Sequence, residues 1–262
     1  YADRVSPAHT TVLVVGRYET TELRRAATAS LGAWYSGTGA PREAPAPSRS
    51  SSGLTIFHRP GAKQAAIVVG ARAPSAGSPD FESFSVVNAL LGGSLISRIT
   101  TNIREAKGYA YAPSSVVTVA PSGEAYWAES ADVAANVAWP ALREILSEIN
   151  RLSSEAPTEA EVEGVERYVA GRTLLSRASR SGLMDEVVFD EEVARNQGDH
   201  GRPKIESRDV TPSEVQRLTA AYLSPRKLAV VVVADTIALA EQIGAMRSAV
   251  GGGAQVSPGQ NR

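Results

Sequence analysis

Apolar positions along this chain recur with two periods. In some stretches they return every three or four residues, the spacing of a helix face; in others they alternate or run together, the spacing of half-buried or buried strands. Residues 54–58 and 64–71 read as strands, joined as a hairpin by a turn at Pro60 and Gly61. Ser78 and Pro79 open a helix that carries Phe81, Phe84, Val87, Leu90 and Leu91 inward. Residues 114–120 and 124–131 form a second hairpin around Pro121, Ser122 and Gly123. Residues 134–152 are then helical, with Val137, Trp139, Leu142, Ile145, Leu146 and Ile149 on the apolar face and Pro140 tolerated in the first turns. Thr158 and Glu161 make a capping box for a helix running to Arg177, and further helical turns cover 181–195 and 212–222. Helices on one face of a mostly antiparallel sheet give an α+β architecture.

The stretch 91–111 carries the densest signals. Gly92 and Gly93 break the preceding helix, and Ser94 is placed to cap a new one. Leu95, Ile96, Ile99 and Ile103 then share one face that is expected to be buried, and Gly108 falls just past the last turn as a left-handed residue, so the helix should stop at Lys107. Tyr109 and Tyr111 alternate with alanine, which puts both on one side of an extended segment, close to Arg104 in the last helical turn.

One internal comparison bears on domain organisation. The strings 6–16 and 224–234 match in register: a Ser-Pro entry, then a buried strand at 12–15 and at 230–233, each running into a helix, 20–34 in the first and 236–246 in the second. The economical reading makes 1–36 the C-terminal end of a preceding homologous domain and 53–248 a whole second copy. A chance likeness of two strand-helix units stays open at this length. Residues 37–52, rich in Pro, Gly and Ser, read as a linker, and 249–262 as a flexible tail.

Composition narrows the classes of function. With 262 residues, 43 % hydrophobic and 21 % charged, the chain is long and apolar enough for a real core. A net charge of -1 offers no basic excess for nucleic acid. No apolar stretch approaches the roughly 20 residues that span a bilayer, so a soluble chain is expected. The absence of cysteine excludes disulfides and thiol catalysis, and it leans towards a periplasmic or extracytoplasmic setting while leaving the compartment open. The sequence opens at Tyr1 with neither methionine nor signal peptide, which leaves open the prior removal of a targeting segment.

Familiar catalytic patterns are lacking. A zincin needs two histidines one helical turn apart with a glutamate between them or beside them, and His9, His58 and His200 are far apart. The run Glu155, Glu159, Glu161, Glu163 and Glu166 lies mostly in the first turns of a helix, where the dipole favours negative charge, and reads as a solvated face. There is no Gly-x-Ser-x-Gly elbow and no phosphate loop. By spacing alone, Arg104 reads first as a helix-end cation and the tyrosines as strand residues.

The string Leu-Leu-Gly-Gly-Ser-(x)3-Arg, followed by Ile-Arg-Glu-(x)2-Gly-Tyr-Ala-Tyr, nevertheless resembles the second, non-zinc half of the pitrilysin/insulinase metallopeptidases. These inverted zincins include mitochondrial processing peptidase and similar bacterial zinc proteases. Arg59–Gln64 is similar to the opening hairpin of that half, and the resemblance covers roughly 53–248. It implies that Arg104 and Tyr111 reach substrate bound at the zinc of another half, with Tyr109, Gly92 and Gly93 as further substrate contacts. It implies no metal ligand here, zinc on a complementary His-x-x-Glu-His half, and no activity from this chain alone. That half would lie upstream in the same polypeptide or in a partner subunit of a homo- or heterodimer, with a peptide as substrate. The alternative it carries is a structural or assembly subunit that kept the fold and lost proteolysis, as respiratory-complex core subunits similar to this family have done.

Overall fold

Strand phase organises the larger part of the molecule, because residues pointing to one side of each strand are apolar and those on the other side are not. The computed structural model describes residues 6, 7, 10–34, 52–120, 122–197, 210–250 and 255–257. In chain order its elements are helix α1 (Thr20–Leu31), strands β1 (Gly53–His58) and β2 (Gln64–Ala73), helices α2 (Phe81–Leu91) and α3 (Arg98–Thr100), strands β3 (Ser114–Val119) and β4 (Ala125–Ala134), helices α4 (Ala138–Ser154), α5 (Glu159–Arg177), α6 (Arg180–Gln197) and α7 (Pro212–Tyr222), strand β5 (Ala229–Ala234), helix α8 (Ala240–Val250) and strand β6 (Gln255–Ser257). Two compact units result, one of residues 1–49 with 173–191, the other of 50–172 with 192–262.

The second unit holds a six-stranded sheet in the order β3-β4-β2-β5-β1-β6. β3–β4, β4–β2 and β2–β5 are antiparallel, while β5–β1 and β1–β6 are parallel. The fold is therefore α+β with a mostly antiparallel sheet, as the periodicity implies. Leu54, Ile56, Ile67, Val69, Trp127, Val133, Val230 and Val232 form the dry face. Phe84 and Leu91 of α2, Leu142, Ile145 and Ile149 of α4, Val215 and Leu218 of α7, and Met246 of α8 pack into the same core. The β2–β4 register, from Gln64 opposite Ala134 to Ala73 opposite Ala125, is the longest ladder and the spine of the sheet.

Four expectations are corrected. β1 and β2 are not a hairpin: β5 lies between them, parallel to β1 and antiparallel to β2. The valine run of β5 has both edges to satisfy, and a central position satisfies both, so the turn at Gly61 (φ 71) only redirects the chain across it. Residues 94–97 form a turn and the new helix begins at Arg98, with Ser97 rather than Ser94 in the N-cap position. Ile99 and Ile103 are fully buried as expected, but Leu95 and Ile96 are 75 % and 72 % exposed because they ride on the turn. Three residues of the expected tail, Gln255–Ser257, are a strand alongside Thr55–Phe57, and its other residues lie outside the described ones apart from Ala249 and Val250 in α8.

The fourth correction concerns 12–15, which form no strand; Val12 and Val14 are 57 % and 41 % exposed. Their counterparts Val230 and Val232 are fully buried between β1 and β2, whereas no strand is described in the unit that holds 12–15. A ladder needs neighbours, whatever the β propensity of the segment. The rest of the repeat does match. The Thr10 N–H donates to Pro7 O at 3.3 Å and the Leu228 N–H to Pro225 O at 3.4 Å, the same turn at equivalent positions, and a helix follows each, α1 and α8. Almost all of the expected linker at 37–52 lies outside the described residues.

Candidate functional site

After three α-helical residues α3 widens into a π-helix, Thr101–Ala106, which the chain leaves at Gly108 with φ 65. The Lys107 N–H donates to Asn102 O at 3.0 Å, and the Tyr109 N–H reaches back to Ile103 O at 2.7 Å. These bonds fold 109–111 back over the helix end. Single π turns are rare and often mark functional positions. The helix start is fixed by Arg98, whose guanidinium makes a forked, half-buried ion pair with Glu161 at 2.9 Å. Glu161 also accepts from the Thr158 N–H at 2.9 Å while its own N–H donates to Thr158 Oγ1 at 3.2 Å, completing the expected capping box. Burial pushes the Glu161 carboxyl up, but the Thr158 and Arg98 bonds outweigh it and hold it below the ordinary range.

Arg104 and Tyr111 are brought together by this stop: the guanidinium carbon lies 5.4 Å from the centre of the Tyr111 ring. Tyr111 is 85 % exposed, and no hydrogen bond of its hydroxyl is found among the described residues. Arg104 Nε also lies 3.0 Å from Glu105 Oε1. Tyr109 is half-buried against the core, while Ala110 between the tyrosines turns inward and bridges to Val133. A cation and a phenol face solvent side by side, an arrangement able to donate hydrogen bonds to a carbonyl or an oxyanion.

Gly92 and Gly93 belong to a second cluster, at the end of α2. Both N–H groups donate to Asn88 O, at 3.0 and 2.7 Å, and Gly92 O accepts from the Ser115 N–H at 3.0 Å. The Ser115 hydroxyl donates to Asn88 Oδ1 at 2.8 Å. A Cβ on Gly92 would fall 2.0 Å from Glu129 Oε2 and 2.7 Å from Ser115 Oγ, and one on Gly93 would fall 2.5 Å from Asn88 Nδ2. Glycine is required here by close approach.

The acid beneath that turn is a residue the motif reasoning did not single out. Glu129 is fully buried on β4, opposite Val69 and Ser115, and neither of its carboxyl oxygens has a partner among the described residues. Burial pushes its carboxyl up to about 9, so it is neutral at pH 7. A signal existed in the strand: Ala125, Trp127, Ala131 and Val133 are inward positions, and Glu129 interrupts that phase with a charge.

Among the described residues no group of three or more His, Cys, Asp or Glu is placed to hold a metal ion. His58 lies at the end of β1, its Nδ1 accepting from the Thr236 N–H at 3.1 Å; His9 and His200 lie outside the described residues. No described helix is long and apolar enough to cross a membrane.

No curated protein matches the chain. Solved structures share the fold at low identity. The peptidase M16 inactive domain from Pseudomonas fluorescens is 16 % identical with a TM-score of 0.61, over 83 % of this chain and 52 % of that one. A protease from Helicobacter pylori is 16 % identical with a TM-score of 0.64, over 84 % and 54 %. A chain of complex III2 from Candida albicans, solved with Inz-5 bound, is 16 % identical with a TM-score of 0.63, over 92 % and 57 %. This chain thus spans about half the length of the solved chains it matches. The family described as "Peptidase M16 inactive domain" matches residues 1–168, well over half of the sequence and across the expected linker. The chain therefore belongs to the M16 peptidase family, as its inactive domain.

Proposed function

We propose that this chain is the substrate-clamping half of a zinc endopeptidase, completed by a half that carries the inverted zinc motif. The observation that carries the reading is the exposed Arg104–Tyr111 pair at the π-helix stop. Zinc on the complementary half would supply the attacking hydroxide. The guanidinium of Arg104 donates to the scissile carbonyl, and the Tyr111 hydroxyl donates to the oxyanion as charge develops there. Tyr109 and the Gly92–Gly93 turn contact the peptide. The complementary half is part of the same polypeptide or of a partner subunit.

The segment 6–34 is assigned, by the match of 6–16 to 224–234 and the helix that follows each, to the sheet of that other half. In this reading 12–15 are a central strand there, as β5 is in its own sheet.

The test is peptide turnover by the chain reconstituted with a zinc-bearing half. Tyr111→Phe keeps the ring and removes one donor, and losing such a donor costs on the order of 10²-fold in kcat. Unchanged turnover in Tyr111→Phe and in Arg104→Lys would shift the assignment to a structural or assembly subunit. The fold likeness to a complex III chain favours that second reading.

A further inference from the structure

We propose that Glu129 is a positioning residue for the Gly92–Gly93 turn and acts as a neutral carboxylic acid, the turn resting on the protonated side chain and losing its seat when that carboxyl ionises. No catalytic role proposed above requires this buried acid. Glu129 has no exposed surface, both its oxygens lack partners among the described residues, and Oε2 fills the space a side chain on Gly92 would need. A neutral acid tolerates such a place; a carboxylate without donors does not.

The surroundings show where donors would come from. Glu129 faces Val69 on β2, Ser115 on β3, and Asn88 and Gly92 at the end of α2, none of which carries charge. No charged group of any described element contributes to its shifted proton affinity, whose cause is burial alone. The Ser115 hydroxyl is committed to Asn88 Oδ1, and the Gly92 and Gly93 N–H groups are committed to Asn88 O. An ionised Glu129 must recruit donors, and the turn at Gly92, whose side-chain place Oε2 fills, offers the two glycine N–H groups. Capturing them from Asn88 lifts the turn off the end of α2. Two arrangements of one pair of N–H groups follow, shared with Asn88 O when Glu129 is protonated and turned to the carboxylate when it is not.

The consequence for substrate rests on the reading above, in which Gly92 and Gly93 contact the peptide. In that reading alkaline pH displaces the contact surface and raises KM while leaving kcat, which depends on Arg104 and Tyr111, unaltered.

The experiment follows the Gly92 and Gly93 amide resonances and the Glu129 carboxyl carbon of the full chain by NMR from about pH 3 to about pH 10. All three are expected to titrate with one midpoint above neutrality, and both amides to be flat in Glu129→Gln. A carboxyl carbon that titrates in the ordinary acidic range, amides that stay still while it titrates, or amides that still titrate in Glu129→Gln each overturn the proposal. If Glu129→Gln does not fold, the wild-type midpoints decide alone: coincidence supports the proposal and separation overturns it. These readings need no substrate, so they can fail while the peptidase assignment stands. In the reconstituted peptidase, a KM that rises at alkaline pH in wild type and not in Glu129→Gln supports the link to substrate; a KM independent of pH overturns it.

Discussion

The guanidinium carbon of Arg104 stands 5.4 Å from the centre of the Tyr111 ring, a cation over an aromatic face held at the end of a π-helix. At an exposed site such a contact contributes only about 0.5–1 kcal/mol. Arg104→Ala, Tyr111→Ala and the double variant should therefore show a coupling in chemical denaturation no larger than about 1 kcal/mol. Activity losses in the milder variants then report on substrate, since neither residue contributes to the core. A coupling several times larger would mark the pair as structural.

Gly92→Ala should destabilise the chain by about 1–3 kcal/mol, the usual range for forcing a methyl into a packed site. The added Cβ meets Glu129 Oε2 and Ser115 Oγ, so the relief is specific. Combined with Glu129→Ala, which empties one side of the clash, the Gly92→Ala cost should shrink by on the order of 1 kcal/mol. Strict additivity in urea melts would mean that the turn moves away instead of pressing on the acid.

The pH dependence of stability has a definite sign. The folded-state pKa of Glu129 is raised from 4.5 to about 9 by burial, so the native state holds its proton more tightly than the unfolded chain does. The contribution is fully present below about pH 4.5 and is lost progressively as pH climbs to about 9. By pH 7 the loss is on the order of 3 kcal/mol. Glu129→Gln removes that slope. Melting curves at a series of pH values should show wild type and variant diverging towards acid and running parallel above about pH 9. A constant difference throughout contradicts the assignment.

Zinc added to the isolated chain at micromolar concentration should give no stoichiometric tight binding by calorimetry, since no described cluster presents three ligands to one point. A one-to-one isotherm would place a metal site on this chain and overturn the division of labour proposed here.

In the assembly with a zinc-bearing half, the amides of 12–15 should exchange with deuterium as slowly as those of 230–233, because a central strand has hydrogen bonds on both edges. The isolated chain should exchange them rapidly, given the exposure of Val12 and Val14. Rapid exchange in the assembly as well would remove this segment from the partner sheet.

Signals confined to a few neighbouring residues were legible in the sequence, and they carried both the α+β class and the Arg104–Tyr111 pair. The Thr158–Glu161 box, the stop at Gly108, the Pro212–Tyr222 helix and the phase of each strand depend on contacts within about one turn or one pleat. Tertiary structure alone decided what depends on distant partners. β5 reaches its place between β1 and β2 from more than 150 residues away, and only that placement separates two strands adjacent in sequence. Leu95 and Ile96 have the periodicity of a buried face, but the turn that precedes α3 leaves them in solvent. The 12–15 segment has a strand's composition without a neighbour in its unit to pair with. Glu129 carries a charge in the sequence and is a neutral acid in the fold, because proton affinity is set by the solvent and donors around a carboxyl, and Gly92, Ser115 and the strands beside it exclude both.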